Sequence, residues 1–214
     1  MTQSANRTTY PPPGSLTGPN VILVPLEEVH REPLRAAAQE DEGIWTYFPM
    51  TFNGAGENFD PWFDRARTLQ SAGEHYPFAV YRRADECILG TTRFYDIAAV
   101  HRRLAIGSTW YIPEARGSLV NAEVRWLTLS HAFDHWQVNR VELITDPRNL
   151  ASLAAMKLLG AVKEGIIRQH LIYHDGRVRD SVLFSIVREE WPSVRERLIA
   201  TVGPELSEYT AAQI

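Results

Sequence analysis

The strongest constraint in this chain is a change of period between residues 103 and 136. Arg103–Ile112 is rich in β-branched and aromatic residues and reads as a strand. From Leu119 onward the apolar residues Leu119, Ala122, Trp126, Leu129, Phe133 and Trp136 recur at steps of three and four, which places them on one face of a long helix. Only PEARGS (113–118) separates the two. A strand delivered this directly into an amphipathic helix calls for an α/β domain, in which the helix covers the sheet that the strand belongs to.

The flanking segments extend the pattern. VILVPL (21–26) reads as a first strand, followed by helix-forming sequence over Glu27–Glu40 with Pro33 early in it. Phe59–Ala72 reads as a second helix, with Asp60 as N-cap and Pro61 at its first position. Between them lies the aromatic and glycine-rich stretch IWTYFPMTFNGAGEN, the kind of loop that often lines a site. Pro77–Arg83, Cys87–Asp96 and Arg103–Ile112 read as an antiparallel meander. Beyond the long helix come a short strand at 141–145, a helix over Asn149–Leu159 stopped by Gly160, and strands Val162–Tyr173 and Val178–Val187 around the turn signal Asp175-Gly176. A last amphipathic helix runs from Trp191 to about Val202. The order β-α-α-β-β-β-α-β-α-β-β describes one domain with a mixed sheet over residues 20–214, and residues 1–19, rich in Pro, Gly, Ser and Thr, are expected to be a mobile tail.

Composition narrows the function classes. The net charge of −4 and the scatter of the 22 Lys and Arg leave no basic footprint, so neither nucleic acid nor an anionic membrane is an expected partner. The lone Cys87 excludes an internal disulfide, and with no signal-like start the expected compartment is the cytoplasm. His131 and His135 stand four apart on the long helix, but no third ligand accompanies them, and no metal is expected.

Two places can carry chemistry. The loop 113–118 opens a helix, where unpaired amides and the positive end of the macrodipole favour phosphate, and Arg116 and Gly117 suit such a cradle. It is neither a Walker loop nor a dinucleotide fingerprint. TDPRNLASLAAMKLLGAVKEG then puts Asn149 and Ser152 three apart at a helix start that follows a strand.

On VNAEVRWLTLSHAF, NRVELITDPRNLASLAAMKLLGAVKEG and DGRVRDSVLFSI with the following EEW, the chain resembles the GNAT superfamily of acyl-CoA-dependent N-acyltransferases. It looks closest to the branch of the Rim-type ribosomal-protein N-terminal acetyltransferases, and the resemblance spans about residues 20–192. It implies a mostly antiparallel mixed sheet, splayed between its fourth and fifth strands, with helices on both faces.

The pantetheine arm of acetyl-CoA would then lie along the main chain of Trp110, Tyr111 and Ile112, and the pyrophosphate on the amides of Arg116, Gly117, Ser118, Leu119, Val120 and Asn121. The family pattern Gln/Arg-x-x-Gly-x-Gly/Ala is met by Arg116 but departed from at Leu119 and Asn121, the asparagine being familiar in this branch. Asn149 would bond the pantetheine, and Ser152 would lie near the sulfur. Met156 occupies the place where many members keep a tyrosine acid, which makes Ser152 the better candidate donor.

The implied reaction is direct attack of a primary amine, on a peptide N-terminus or a small molecule, in a ternary complex. Glu123, Glu142, Asp146 and Asp180 are the candidate bases, Glu123 also suiting the helix N-terminus electrostatically. Two alternatives stay open. One is a CoA-sensing module with little catalysis; the other is a succinyl-CoA user in which Arg93 or Arg168 meets the extra carboxylate. Arg168 and His170 alternate with Ile167 and Leu171, so they face either solvent or the acceptor. Family members commonly dimerise, and a homodimer is a further expectation.

Overall fold

The computed structural model describes residues 9–48, 59–173 and 176–209. Eight strands form one sheet in spatial order β1-β2-β3-β4-β5-β6-β8-β7. They are β1 (Leu16–Thr17), β2 (Val21–Pro25), β3 (Tyr76–Arg82), β4 (Ile88–Ala98), β5 (Arg103–Tyr111), β6 (Arg140–Thr145), β7 (Val162–Ile172) and β8 (Val178–Val187). Among the described residues the α-helices are α1 (Arg31–Gln39), α2 (Phe59–Ser71), α3 (Val120–Ser130), α4 (Leu150–Leu159) and α5 (Trp191–Val202).

Every strand pairing is antiparallel except β5 with β6. That parallel pairing lasts three residues, Arg103–Ala105 against Arg140–Glu142, after which the strands part. β5 then continues against β4 alone, while β6 stays paired with β8 over its whole length. The sheet therefore opens in a V between β5 and β6, the splay that the family resemblance implies.

Alternation along the strands decides what lies on each face. Phe78 and Phe94 point to one side, where Phe94 packs on Trp136 (4.8 Å between centroids) beyond α3. Arg93 and Tyr81 point to the other, against Trp62 of α2 and His30 before α1. Helices thus cover both faces. The apolar seam of α3 is wider than one stripe: Val124, Leu127 and Thr128 are as fully buried as Trp126 and Leu129. At residues 131–135 the helix relaxes into a π turn, closed by the Trp136 amide on the His131 carbonyl at 2.9 Å.

Two local expectations change. Residues 9–19 are not a mobile tail: Leu16 is fully buried in β1, and Tyr10 stacks on Trp136 at 5.0 Å with its carbonyl accepting from the Tyr76 hydroxyl. The composition of that stretch is loop-like, yet two side chains, each worth about 1.5–3 kcal/mol on burial, are enough to pin it. Asp60 lies inside the first turn of α2 rather than at its N-cap, and its carboxylate holds Arg31 (2.8 Å) and Arg35 (2.6 Å) of α1. Of the aromatic loop 44–58, residues 49–58 lie outside the described residues; 42–47 form a 3-10 turn.

Candidate active site

The V is built by irregularities in β5. Thr91 pairs with Trp110 and Arg93 with Gly107, so β5 carries one residue more than β4 between them, and Ser108 takes a φ of +47°. Such a bulge twists a strand away from its neighbour, here away from β6. The outer edge of residues 106–110 consequently has no strand partner. Gly90 makes the bulge possible: at φ +148° a Cβ there would sit 2.0 Å from the Trp110 carbonyl oxygen.

β5 runs out into a short turn, Pro113–Ala115, and then into α3. Gly117 is left-handed (φ +69°), which turns the chain into the helix. The amides of Gly117, Ser118, Leu119 and Asn121 find no acceptor among the described residues. Two amides of the expected cradle are already occupied, Arg116 N by the Pro113 carbonyl (3.1 Å) and Val120 N by the Ser118 hydroxyl (3.2 Å). Arg116 braces the loop from behind, donating through Nε to the Tyr111 carbonyl and pairing with Asp41 at 2.5 Å. Ile112 turns its amide to Leu89 across β4, away from the V. Trp110 and Tyr111 are buried on opposite faces, with the Tyr111 hydroxyl 3.4 Å from Asn121 Oδ1.

Leu119 is 48% exposed. It does not begin the buried seam of α3, and its side chain stands beside the open amides instead of anchoring the helix.

Across the V, β6 is followed directly by Asp146, almost fully buried. Its Oδ1 accepts from the Arg148 amide (2.8 Å) and its Oδ2 lies 3.1 Å from the Tyr173 hydroxyl. Burial pushes this carboxyl up, but those hydrogen bonds outweigh it and hold the group below its ordinary range. Tyr173 reaches on to the Tyr47 carbonyl (2.9 Å), and Arg179 Nη1 donates to the Tyr173 hydroxyl at 3.3 Å. Trp45 from the same segment packs edge-on against Trp110 (5.1 Å). Residues 45–48 therefore roof the V from β5 to β7, as aromatic loops beside a cleft do.

Asn149 caps α4, its Oδ1 accepting from the Ser152 amide at 3.0 Å. The Asn-x-x-Ser spacing is thus a helix cap that leaves the Asn149 Nδ2 and the Ser152 hydroxyl as available donors. Met156 is buried in the core.

The candidate bases fare differently. Glu123 is fully buried, and both oxygens are filled: Oε1 by the amides of Asn20 (2.8 Å) and Val21 (2.9 Å), Oε2 by Asn20 Nδ2 (2.9 Å). It ties α3 to the start of β2, a structural use of the carboxylate. Glu142 pairs with Arg140 (2.9 Å), and Asp180 accepts from the Gln169 amide on the exposed side of β8. Arg168 and His170 are exposed beside a β7 irregularity at which Gln169 has φ +50°. His131 and His135 stack at 4.9 Å, and the described residues hold no cluster suited to a metal. No helix among them is long and apolar enough to cross a membrane. Sequence reasoning missed Tyr173 and Arg179, which read as ordinary strand residues, and Arg125 of α3, whose Nη2 lies 3.5 Å from Thr109 Oγ1 in the bulge.

Comparison with known proteins agrees with this geometry. Residues 20–162 match the family described as "Acetyltransferase (GNAT) domain". The chain is 31% identical over 176 residues to "Uncharacterized N-acetyltransferase YoaA" of Bacillus subtilis (strain 168), covering 78% of this chain and 98% of that one. Among solved structures, a GCN5-related N-acetyltransferase from Brucella melitensis superposes with a TM-score of 0.83 at 28% identity, over 95% of this chain and 98% of the other. Mycobacterium smegmatis RimJ in complex with CoA-disulfide shares the fold at a TM-score of 0.73 and 24% identity, over 87% and 91%. A matched domain spanning most of the chain, on a sheet that splays in this way, establishes that the protein is an acetyltransferase of the GNAT family.

Proposed function

We propose that the protein transfers an acetyl group from acetyl-CoA to a primary amine in the V between β5 and β6. The observation that carries this reading is the unpaired edge of β5 ending at the open amides before and within the first turn of α3. An extended amide-bearing arm pairs with such an edge as an added strand, and a pyrophosphate suits the amides at a helix start. Residues 106–110 would hold the pantetheine and the amides of Gly117, Ser118, Leu119 and Asn121 the pyrophosphate, with Asn149 Nδ2 as a further donor. When bound, acetyl-CoA supplies a thioester carbonyl open to attack by a neutral amine.

The chain's own residues orient and enclose. Trp45 and Trp110 keep water from the cleft, and the fixed turn from Asp146 to Asn149 sets the start of α4. The Ser152 hydroxyl, at the start of α4, would donate to the departing sulfur. Because Asn149 caps the Ser152 amide and not its hydroxyl, Ser152→Ala is expected to change stability by less than about 0.5 kcal/mol. Turnover should fall about 100-fold, a usual figure for a lost proton donor. Chemical denaturation measures the first point, and thiol release from acetyl-CoA over a panel of amines the second. Failure of every amine, together with no calorimetric binding of CoA, would remove the proposal; unchanged turnover in Ser152→Ala would remove that residue's role.

A further inference from the structure

One side of β4 and β5 carries buried donors without acceptors. Arg93 is 6% exposed, and neither its Nε nor its Nη2 has a hydrogen-bond partner. Two residues along β4, on the same face, the Thr91 hydroxyl is equally unpartnered. Directly across on β5 so is the Trp110 indole N–H, and Thr91 and Trp110 are register partners. This is the face covered by α2, whose Trp62 ring lies 5.5 Å from the Arg93 guanidinium carbon.

A buried polar group without a partner is costly, and a buried guanidinium without a counter-charge is more so. Burial, helped by the nearby Arg65 and opposed by Tyr95, brings the Arg93 pKa down to about 10, and no carboxylate among the described residues acts on it. Of the titratable groups that act on it, Arg65 is a cation and Tyr95 is a phenol whose own pKa burial pushes up, so it stays neutral; burial together with Arg93 and Arg65 holds the His75 pKa at about 4. Nε and Nη2 form one edge of the planar guanidinium, the pair of N–H groups that meets both oxygens of a carboxylate in parallel. A neutral acceptor would satisfy the hydrogen bonds but leave the charge. Arg93 pairs with Gly107 beside the bulge, so its backbone stands one strand, about 5 Å, from β5, whose other edge is the free one.

We propose that Arg93, with Thr91 and Trp110, is a carboxylate-binding subsite of the acetyl-transfer cleft, engaged by a carboxylate that one of the two reactants carries. This inference rests on the proposed transfer reading of the same cleft. The carboxylate belongs either to the acceptor amine or to the acyl chain of the donor.

The test uses the full chain and its Arg93→Met and Arg93→Lys variants. One arm compares amines that differ in a single carboxylate, leucine against isopentylamine and a Glu-initiated against a Gln-initiated peptide amide, with acetyl-CoA. The other compares succinyl-CoA with acetyl-CoA on an uncharged amine. In one arm the wild type is expected to prefer the carboxylate in kcat/KM by about 100-fold or more, as sites built around a ligand's polar group do. Arg93→Met should bring the ratio near one, and Arg93→Lys, which keeps the charge without the fork, should lose at least about tenfold of it. The melting temperature of Arg93→Met should equal or exceed the wild type's, because a buried unpaired charge has been removed.

No preference in either arm, the same preference in Arg93→Met, or a less stable Arg93→Met overturns the inference. If no pair turns over, thermal shifts with CoA and with succinate separate the two readings. Absence of a CoA shift sinks the transfer reading, and a succinate shift lost in Arg93→Met upholds the subsite. Absence of a succinate shift overturns it.

Discussion

Replacing Glu123 by alanine is expected to destabilise the protein by about 4 kcal/mol, the range found when one member of a buried charged network is removed. The carboxylate is itself fully buried and accepts from the backbone amides of Asn20 and Val21 and from the side-chain amide of Asn20, an exposed residue. Alanine would leave the buried Val21 amide unsatisfied, release the two Asn20 donors and open a cavity beside them. Glu123→Gln separates this account from a catalytic one. It keeps a carbonyl oxygen for the Asn20 and Val21 amides but sets an NH2 against Asn20 Nδ2, so its expected cost is smaller, about 1–3 kcal/mol. Chemical denaturation should rank alanine below glutamine and glutamine below wild type, with turnover per folded molecule largely kept in the glutamine variant. Abolished turnover at unchanged stability would restore Glu123 as the base.

The second large effect is expected at Gly90. An alanine Cβ would stand 2.0 Å from the Trp110 carbonyl oxygen and 2.9 Å from Tyr111 Cα, both backbone atoms that yield only if β4 and β5 separate. The φ of +148° is itself close to glycine-only territory. Strain and overpacking, each about 1–3 kcal/mol, together predict a loss of about 4 kcal/mol for Gly90→Ala. In a chain of this size that is a fall in melting temperature of roughly 10 °C. Gly90 sits opposite Tyr111, where β5 leaves the bulge, so CoA affinity should fall with the register. A loss under about 1 kcal/mol would show that β5 keeps its bulge by other means.

The sequence made most of the architecture legible because period is a local property. The strand over 178–187 and the end of the last helix at Val202 coincide with the structure and most other borders move by at most two residues, but the first helix begins at Arg31 behind a 3-10 turn and the long helix leaves α geometry after Ser130. What could not be read is long-range. The use of Glu123 depends on a partner 103 positions away, so a first-turn acid looked like an electrostatic helper or a base. Tyr10 and Leu16 were averaged into a polar stretch, although each finds a place in the core. Leu119 continued the helical spacing on paper, but the turn at Gly117 sets the helix start so that this side chain is left outside. The cluster of Arg93, Thr91 and Trp110 is created by strand register, which no single segment encodes.

The cleft itself is tested most directly by hydrogen exchange with and without acetyl-CoA. The free edge of residues 106–110 and the open amides of Gly117, Ser118, Leu119 and Asn121 should exchange quickly in the protein alone, since no backbone partner protects them. Saturating acetyl-CoA should slow exchange in those two segments and leave the edge strand β7 unchanged. Protection confined to other segments, or none at all under saturating binding, would contradict a coenzyme bound along β5 and the start of α3.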